Sequence, residues 1–207
     1  MVDTFTDPSS EEKDDSNKNT RDALRKQIRA TRSSLSKQQL AQAASALLPN
    51  VLAAINNLNT TNPVSRVAGY LAFQGEIDVS PVMDALRTSN VTTYVPMLDG
   101  ETLQFAPWSD NTPFTTNRFG IVEPDVPRHL WITANQLDVV LVPLVAFDNT
   151  GNRMGMGGGF YDKTFAHRRK NPGPPWLIGV GHEFQRVKSV HAQWWDVALD
   201  KVLTNEN

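Results

Sequence analysis

Apolar residues recur with helical spacing from about Thr20, where Asn19 or Thr20 can cap a helix. Leu24 and Ile28 fall on one face, and Arg21, Arg25 and Arg29 at i, i+4 and i+8 on another. Ser36-Lys-Gln-Gln39 reads as a capping box opening a second helix, whose apolar positions Ala41, Ala44, Leu47, Leu48, Val51, Leu52 and Ile55 fit a 3.6-residue period. Pro49 is expected to kink or divide that helix. After a loop at 59–63 the pattern turns to strand over 66–72, and Ser80-Pro81 caps a short helix carrying Val82, Met83, Ala85 and Leu86. Strands are expected at 91–95 and 102–105, joined by a turn at Leu98-Asp-Gly-Glu101. Residues 106–136, with prolines at 107, 113, 124 and 127, show no period and predict a long irregular excursion. The most apolar run, 138–144, predicts a central strand; a helix over 160–169 and a strand over 176–180 follow.

This alternation predicts a layered α/β fold with a largely parallel sheet. Such sheets bind ligands beyond the carboxyl ends of their strands, where both Phe73–Glu76 and a later glycine-rich segment fall.

Composition narrows the class. The 207 residues fit one domain, expected over 20–207, and 40% hydrophobic with 20% charged residues is ordinary for a globular chain. No apolar run approaches the ~20 residues of a membrane span, and the N-terminus lacks a signal-peptide layout, so a cytoplasmic location is expected. With no cysteine there is no disulfide, thiolate metal site or cysteine nucleophile, and the four histidines lack metal-ligand spacing. Residues 1–19 hold six acids against Lys13 and Lys18, a net −4, and are expected to form a disordered acidic leader. The chain as a whole is −2, so the body is about +2 by difference, too little for a nucleic-acid surface. The expected partners are small molecules, with neither nucleic acid nor membrane, and the chain is expected to be a monomer.

The chemistry concentrates in Gly151-Asn-Arg-Met-Gly-Met-Gly-Gly-Gly-Phe-Tyr-Asp162, where five of twelve residues are glycine. A glycine loop leaving a strand and opening a helix suits phosphate, because its amides approach the anion closely. Arg153 adds a charged donor beside the glycines, and Asp162 could hold a metal against the phosphate. The plain alternative is a tight strand-to-helix crossover with no ligand. The segment lacks the Lys-Ser/Thr of a P-loop, and Phe160 stands where a dinucleotide fingerprint needs glycine.

Preceded by Val142-Pro-Leu-Val-Ala-Phe-Asp148, this segment resembles the signature of the 5-formyltetrahydrofolate cyclo-ligase family, also called methenyltetrahydrofolate synthetases. Arg21-Asp-Ala-Leu-Arg25, Leu71-Ala-Phe-Gln-Gly-Glu76 and Trp195-Asp-Val-Ala-Leu-Asp200 match in the same order, so the resemblance runs from about Thr20 to about Thr204. It implies a three-layer α/β/α fold and an ATP- and Mg²⁺-dependent ligase of folate one-carbon metabolism. It places Arg21 and Arg25 on ATP with Arg153, Gly155, Gly157, Gly158, Gly159 and Tyr161, with Arg153 and Arg25 acting in catalysis. Glu76 and Leu71 would bind the folate, joined by Phe119, Met156 and Phe160, while Asp162 and Asp196 would hold Mg²⁺. Met156 and Gly158 stand where some family members carry Arg and Lys. The competing expectation is a non-catalytic module that binds a nucleotide or phosphometabolite.

Overall fold

The computed structural model describes the backbone of residues 8–116 and 122–206, with side chains from Lys18 onward. In chain order the elements are α1 (Pro8–Ser33), α2 (Lys37–Asn56), β1 (Arg66–Ala68), α3 (Ser80–Thr88), β2 (Thr92–Asp99) and β3 (Thr102–Pro107). Then come β4 (Phe114–Thr116), β5 (Val122–Pro124), β6 (Val139–Pro143), β7 (Ala146–Phe147), β8 (Arg153–Met154), α4 (Phe160–Thr164), β9 (Trp176–Gly181) and β10 (Lys201–Thr204).

Six strands form the central sheet in the order β10-β9-β6-β1-β2-β3. Every neighbouring pair is parallel except the β2–β3 hairpin, which closes one edge antiparallel. β6 is central, as its unbroken Val139–Val142 run requires: a strand buried on both faces has no polar alternation. Its residues divide by parity. Val139 and Leu141, with Val67, Ile178 and Val180, pack against Leu47, Val51 and Ile55 of α2 and Val82, Met83 and Leu86 of α3. Val140 and Val142, with Ala68 and Leu177, pack on the other face against Phe105, Phe147, Phe165 and Val197.

Several boundaries differ from the pattern-based expectation. The helical backbone of α1 starts at Pro8, ahead of the Asn19–Thr20 cap, and so runs through residues 8–19 of the segment expected to be a disordered leader. α2 has the expected capping box at Ser36 and Gln39 but passes through Pro49 undivided. β1 is three residues rather than seven, because Tyr70 to Glu76 leave the sheet to build the site. The excursion at 106–136 holds the β4–β5 hairpin and two turns of 3₁₀ helix. The helix expected over 160–169 ends at Thr164 and gives way to a 3₁₀ turn at Ala166–Arg169. Among the described residues no helix is long and apolar enough to cross a membrane.

Candidate functional site

A cleft of about 650 Å³ opens at the carboxyl end of β6, where Pro143 and Leu144 form part of its wall. Arg21 and Arg25 of α1, Glu76, Arg153 of β8, the loop 155–159 and Phe160, Tyr161 and Asp162 of α4 line it, together with Asp196. Segments distant in sequence therefore converge on one cavity.

The glycine loop is reached through the small β7–β8 hairpin rather than directly from β6. It crosses over with Gly157 at φ +103°, a backbone conformation that a side chain disfavours. Gly158 is glycine for another reason. A Cβ there would lie 2.6 Å from the Phe160 ring, so a side chain at this position would need that ring to shift. The five-residue α4 is too short to contribute the dipole of a full helix; charge in the cleft comes from side chains.

Each of the three arginines here already faces an acid. Arg153, only 5% exposed, donates from Nη1 to Asp162 Oδ1 at 2.9 Å and lies 5.8 Å over the Tyr161 ring. Arg21 donates from Nη1 to Asp196 Oδ2 at 2.9 Å and to the His191 carbonyl at 2.8 Å. Arg25 donates from Nε to the Gly155 carbonyl at 3.1 Å, tying α1 to the glycine loop, and from Nη1 to Asp22 at 2.5 Å. Arg21 and Arg153 use only Nη1 among the described residues, which leaves most of each guanidinium fork available to an anion.

Asp162 Oδ1 also accepts from Val197 N at 2.9 Å, and Asp196 Oδ2 from Gln193 N at 2.9 Å. The second oxygen of each carboxylate makes no hydrogen bond among the described residues. That donor set suits Mg²⁺, which typically takes one or two carboxylates and completes its shell with water and phosphate oxygens. Among the described residues no cluster of three acids or histidines exists, so a cage of protein ligands alone is absent.

The Tyr161 hydroxyl is buried and has no hydrogen-bond partner among the described residues, and burial holds its pKa well above the ordinary value.

Glu76 sits at the end of a tight turn in which Gln74 and Gly75 have φ +48° and +78°. Its Oε2 accepts from the Phe73 amide at 3.1 Å, and its Oε1 faces Arg32 Nη1 at 3.4 Å. Burial raises its carboxyl above the ordinary carboxylate range, against the opposing pull of Arg32 and the Phe73 amide.

Of the expected site residues, Leu71 does not reach the cleft wall and packs half-buried against the α2–α3 side of the core. Phe119 lies outside the described residues. Met156, exposed, and Phe160, half-buried, both line the cleft. Sequence reasoning missed Lys18, Asp22, Leu103, Gln193 and Trp195 in the wall, and Arg32 behind it. Arg32 carried a signal. It follows Leu24 and Ile28 at i+8 and i+4 and so lies on the buried stripe of α1, where a cation needs a partner.

The sequence profile described as the 5-formyltetrahydrofolate cyclo-ligase family matches residues 17–205. A Haemophilus influenzae protein named 5-formyltetrahydrofolate cyclo-ligase is 34% identical over 190 residues, covering 90% of this chain and 98% of its own. An Escherichia coli protein of the same name is 35% identical over 141 residues, covering 67% and 76%. Among solved structures, the Aquifex aeolicus 5,10-methenyltetrahydrofolate synthetase superposes with a TM-score of 0.72 at 24% identity, over 90% of each chain. The Mycoplasma pneumoniae 5,10-methenyltetrahydrofolate synthetase gives 0.66 at 24% identity, over 89% of this chain and 98% of its own.

Proposed function

The chain belongs to the 5-formyltetrahydrofolate cyclo-ligase family and is a ligase; on that footing we propose that it converts 5-formyltetrahydrofolate into 5,10-methenyltetrahydrofolate, with ATP cleaved to ADP and phosphate. The observation that carries the proposal is the convergence, in one cleft, of three arginines and a glycine loop with a separately mounted carboxylate, Glu76. Guanidinium forks and loop amides match a polyphosphate; a carboxylate matches the adjacent N–H donors of an aminopyrimidinone ring.

The formyl oxygen is a poor leaving group. It attacks the γ-phosphorus of ATP, the bond to the ADP oxygen breaks, and an iminium phosphate results. N10 then adds to the formyl carbon and loses its proton, and the C–O bond breaks to release phosphate and the closed ring. The protein's part in such a transfer is positioning and charge stabilisation. Arg153, Arg21 and Arg25 hold the phosphates, the amides of Gly155, Gly157, Gly158 and Gly159 surround the transferring group, and the Tyr161 ring, packed against the Arg153 guanidinium, lines the same wall. Glu76 orients the pteridine, with Met156 and Phe160 against the folate. Asp162 and Asp196 would hold Mg²⁺ through the oxygens not committed to arginine, and the ion would neutralise phosphate charge. The reading extends to a cytoplasmic monomer acting on small molecules, with 20–207 as one catalytic unit.

The test is product formation from 5-formyltetrahydrofolate, followed by absorbance, with ATP and Mg²⁺ present or singly omitted. Product should appear only with all three. Binding of ATP and folate without turnover would instead support a non-catalytic module.

A second expected result probes the loop. Gly157→Ala places a side chain at φ +103°, at a cost of about 1–3 kcal/mol if the loop is kept. The added Cβ would have no neighbour closer than the Arg25 guanidinium at 4.0 Å. A solvent-facing loop should relax rather than keep that strain, so the KM for ATP should rise roughly tenfold or more while the melting temperature falls by no more than a few degrees. A lowered melting temperature with unchanged ATP kinetics would assign the loop to structure instead.

A further inference from the structure

The turn that presents Glu76 is built onto the C-terminal part of α1, and one residue does most of the holding. The Arg32 side chain is fully buried, and its donors reach three acceptors on two segments. Nε donates to the Gln74 carbonyl at 2.8 Å, while Nη1 faces Glu76 Oε1 at 3.4 Å and the Leu144 carbonyl at 3.3 Å. The fit is close. A Cβ on Gly75 would come within 2.4 Å of the Arg32 carbonyl oxygen, so the turn lies directly on the helix backbone. From the far side, His182 Nε2 donates to the Gly75 carbonyl at 3.0 Å, and Gln185 Nε2 to the Leu144 carbonyl at 2.8 Å.

We propose that Arg32 is a positioning residue for folate: it touches no substrate, and acts by holding Glu76 in place as an ionised acceptor at the cleft wall. This rests on the reading that Glu76 binds the pteridine. A purely structural role explains the arrangement poorly. Buried ion pairs contribute little net stability, and well-packed apolar replacements are often neutral or better. Arg32 also leaves Nη2 buried without a partner among the described residues, which is costly for packing alone. What an apolar residue could not do is keep a buried carboxylate charged.

The other groups around Glu76 do not share that task. Tyr70 and Tyr161 are phenols that burial keeps neutral. His182 is held below its ordinary pKa by burial and engages the Gly75 carbonyl. Arg29 is exposed and reaches the Gln74 side chain at 2.9 Å rather than the carboxylate. Without Arg32, the carboxyl would face burial with only the Phe73 amide to oppose protonation.

The experiment is a double-mutant cycle on the full chain, with equilibrium binding of 5-formyltetrahydrofolate and of ATP measured separately and melting recorded for each variant. Arg32→Met should raise the folate Kd about tenfold or more and leave the ATP Kd within about twofold. Arg32→Lys, which keeps the charge, should recover part of the folate affinity. In a Glu76→Gln background, Arg32→Met should produce no further folate loss. Should Arg32→Met fail to fold, the cycle runs with Arg32→Lys. Its single ammonium cannot serve all three acceptors, so a smaller folate-specific loss that vanishes in the Glu76→Gln background is expected. Equal losses for both ligands, or the same folate loss with and without the Glu76 carboxylate, would overturn the proposal. A Glu76→Gln protein that binds folate normally would instead overturn the underlying assignment of Glu76, a separate and recognisable failure.

Discussion

Arg153→Lys should lower turnover by roughly 10²–10³-fold, the loss typical when one preorganised donor to developing charge is removed. Lysine preserves the charge but not the planar fork that lets one side chain grip a carboxylate and still offer parallel N–H groups to a phosphate. The choice of lysine follows from the structure. The sequence alone suggests a side chain that could be cut back to alanine without harm to the fold. In the structure Arg153 is buried, bonded to Asp162 and 3.5 Å from the Val197 carbonyl, and packed over Tyr161. Arg153→Ala would leave Asp162 without its cation and open a void, so its effect on rate would be mixed with lost stability. Comparing kcat and melting temperature for Arg153→Lys on one preparation separates the two. Near-normal turnover in a folded variant would remove Arg153 from the phosphate site.

The second large effect is on folate. Glu76→Gln should weaken 5-formyltetrahydrofolate binding by roughly 1.5–3 kcal/mol, about 10- to 150-fold, and leave ATP binding nearly unchanged. Glutamine can accept through one oxygen only and presents its own N–H groups to a ring edge that is itself a donor. The same carboxyl sets a pH dependence. Burial raises its pKa, so as pH falls it takes up a proton sooner than an exposed glutamate would, and the acceptor is lost. Folate affinity should therefore decline on acidification in the native protein, and the decline should be absent in Glu76→Gln. Binding titrations across the acidic range check both points; equal losses for the two ligands would show the carboxylate to be misassigned.

Much of the fold was legible because its strands are buried on both faces and its helices on one. Val139–Val142 announced a central strand by having no polar position, and Ser36 with Gln39 announced α2 by a local hydrogen-bond pattern. Short elements were less readable. β7 and β8 hold two residues each, and β10 four, so none is long enough to establish a period. The site divides in the same way. Glycine, arginine and aspartate stood together in one segment of sequence and form one wall of the cleft. Their pairing did not show, because Arg21 with Asp196 and Arg32 with Glu76 are joined only by tertiary folding. At Gly158 a Cβ would meet the ring of Phe160, two residues on, a contact that the segment's composition does not show. On α1, i+4 spacing alone groups the arginines at 21, 25 and 29. The helix instead buries 21, 28 and 32 and leaves 29 in solvent, since a 3.6-residue period drifts off a strict i+4 row.

The account turns on the formyl oxygen attacking ATP and leaving with the phosphate. 5-Formyltetrahydrofolate carrying ¹⁸O in its formyl group, turned over by this protein with unlabelled ATP in unlabelled water, tests that step directly. The expected result is one ¹⁸O atom in each inorganic phosphate released, in step with methenyl product. Methenyl product accompanied by unlabelled phosphate would contradict it, because the formyl oxygen would then have left by another route.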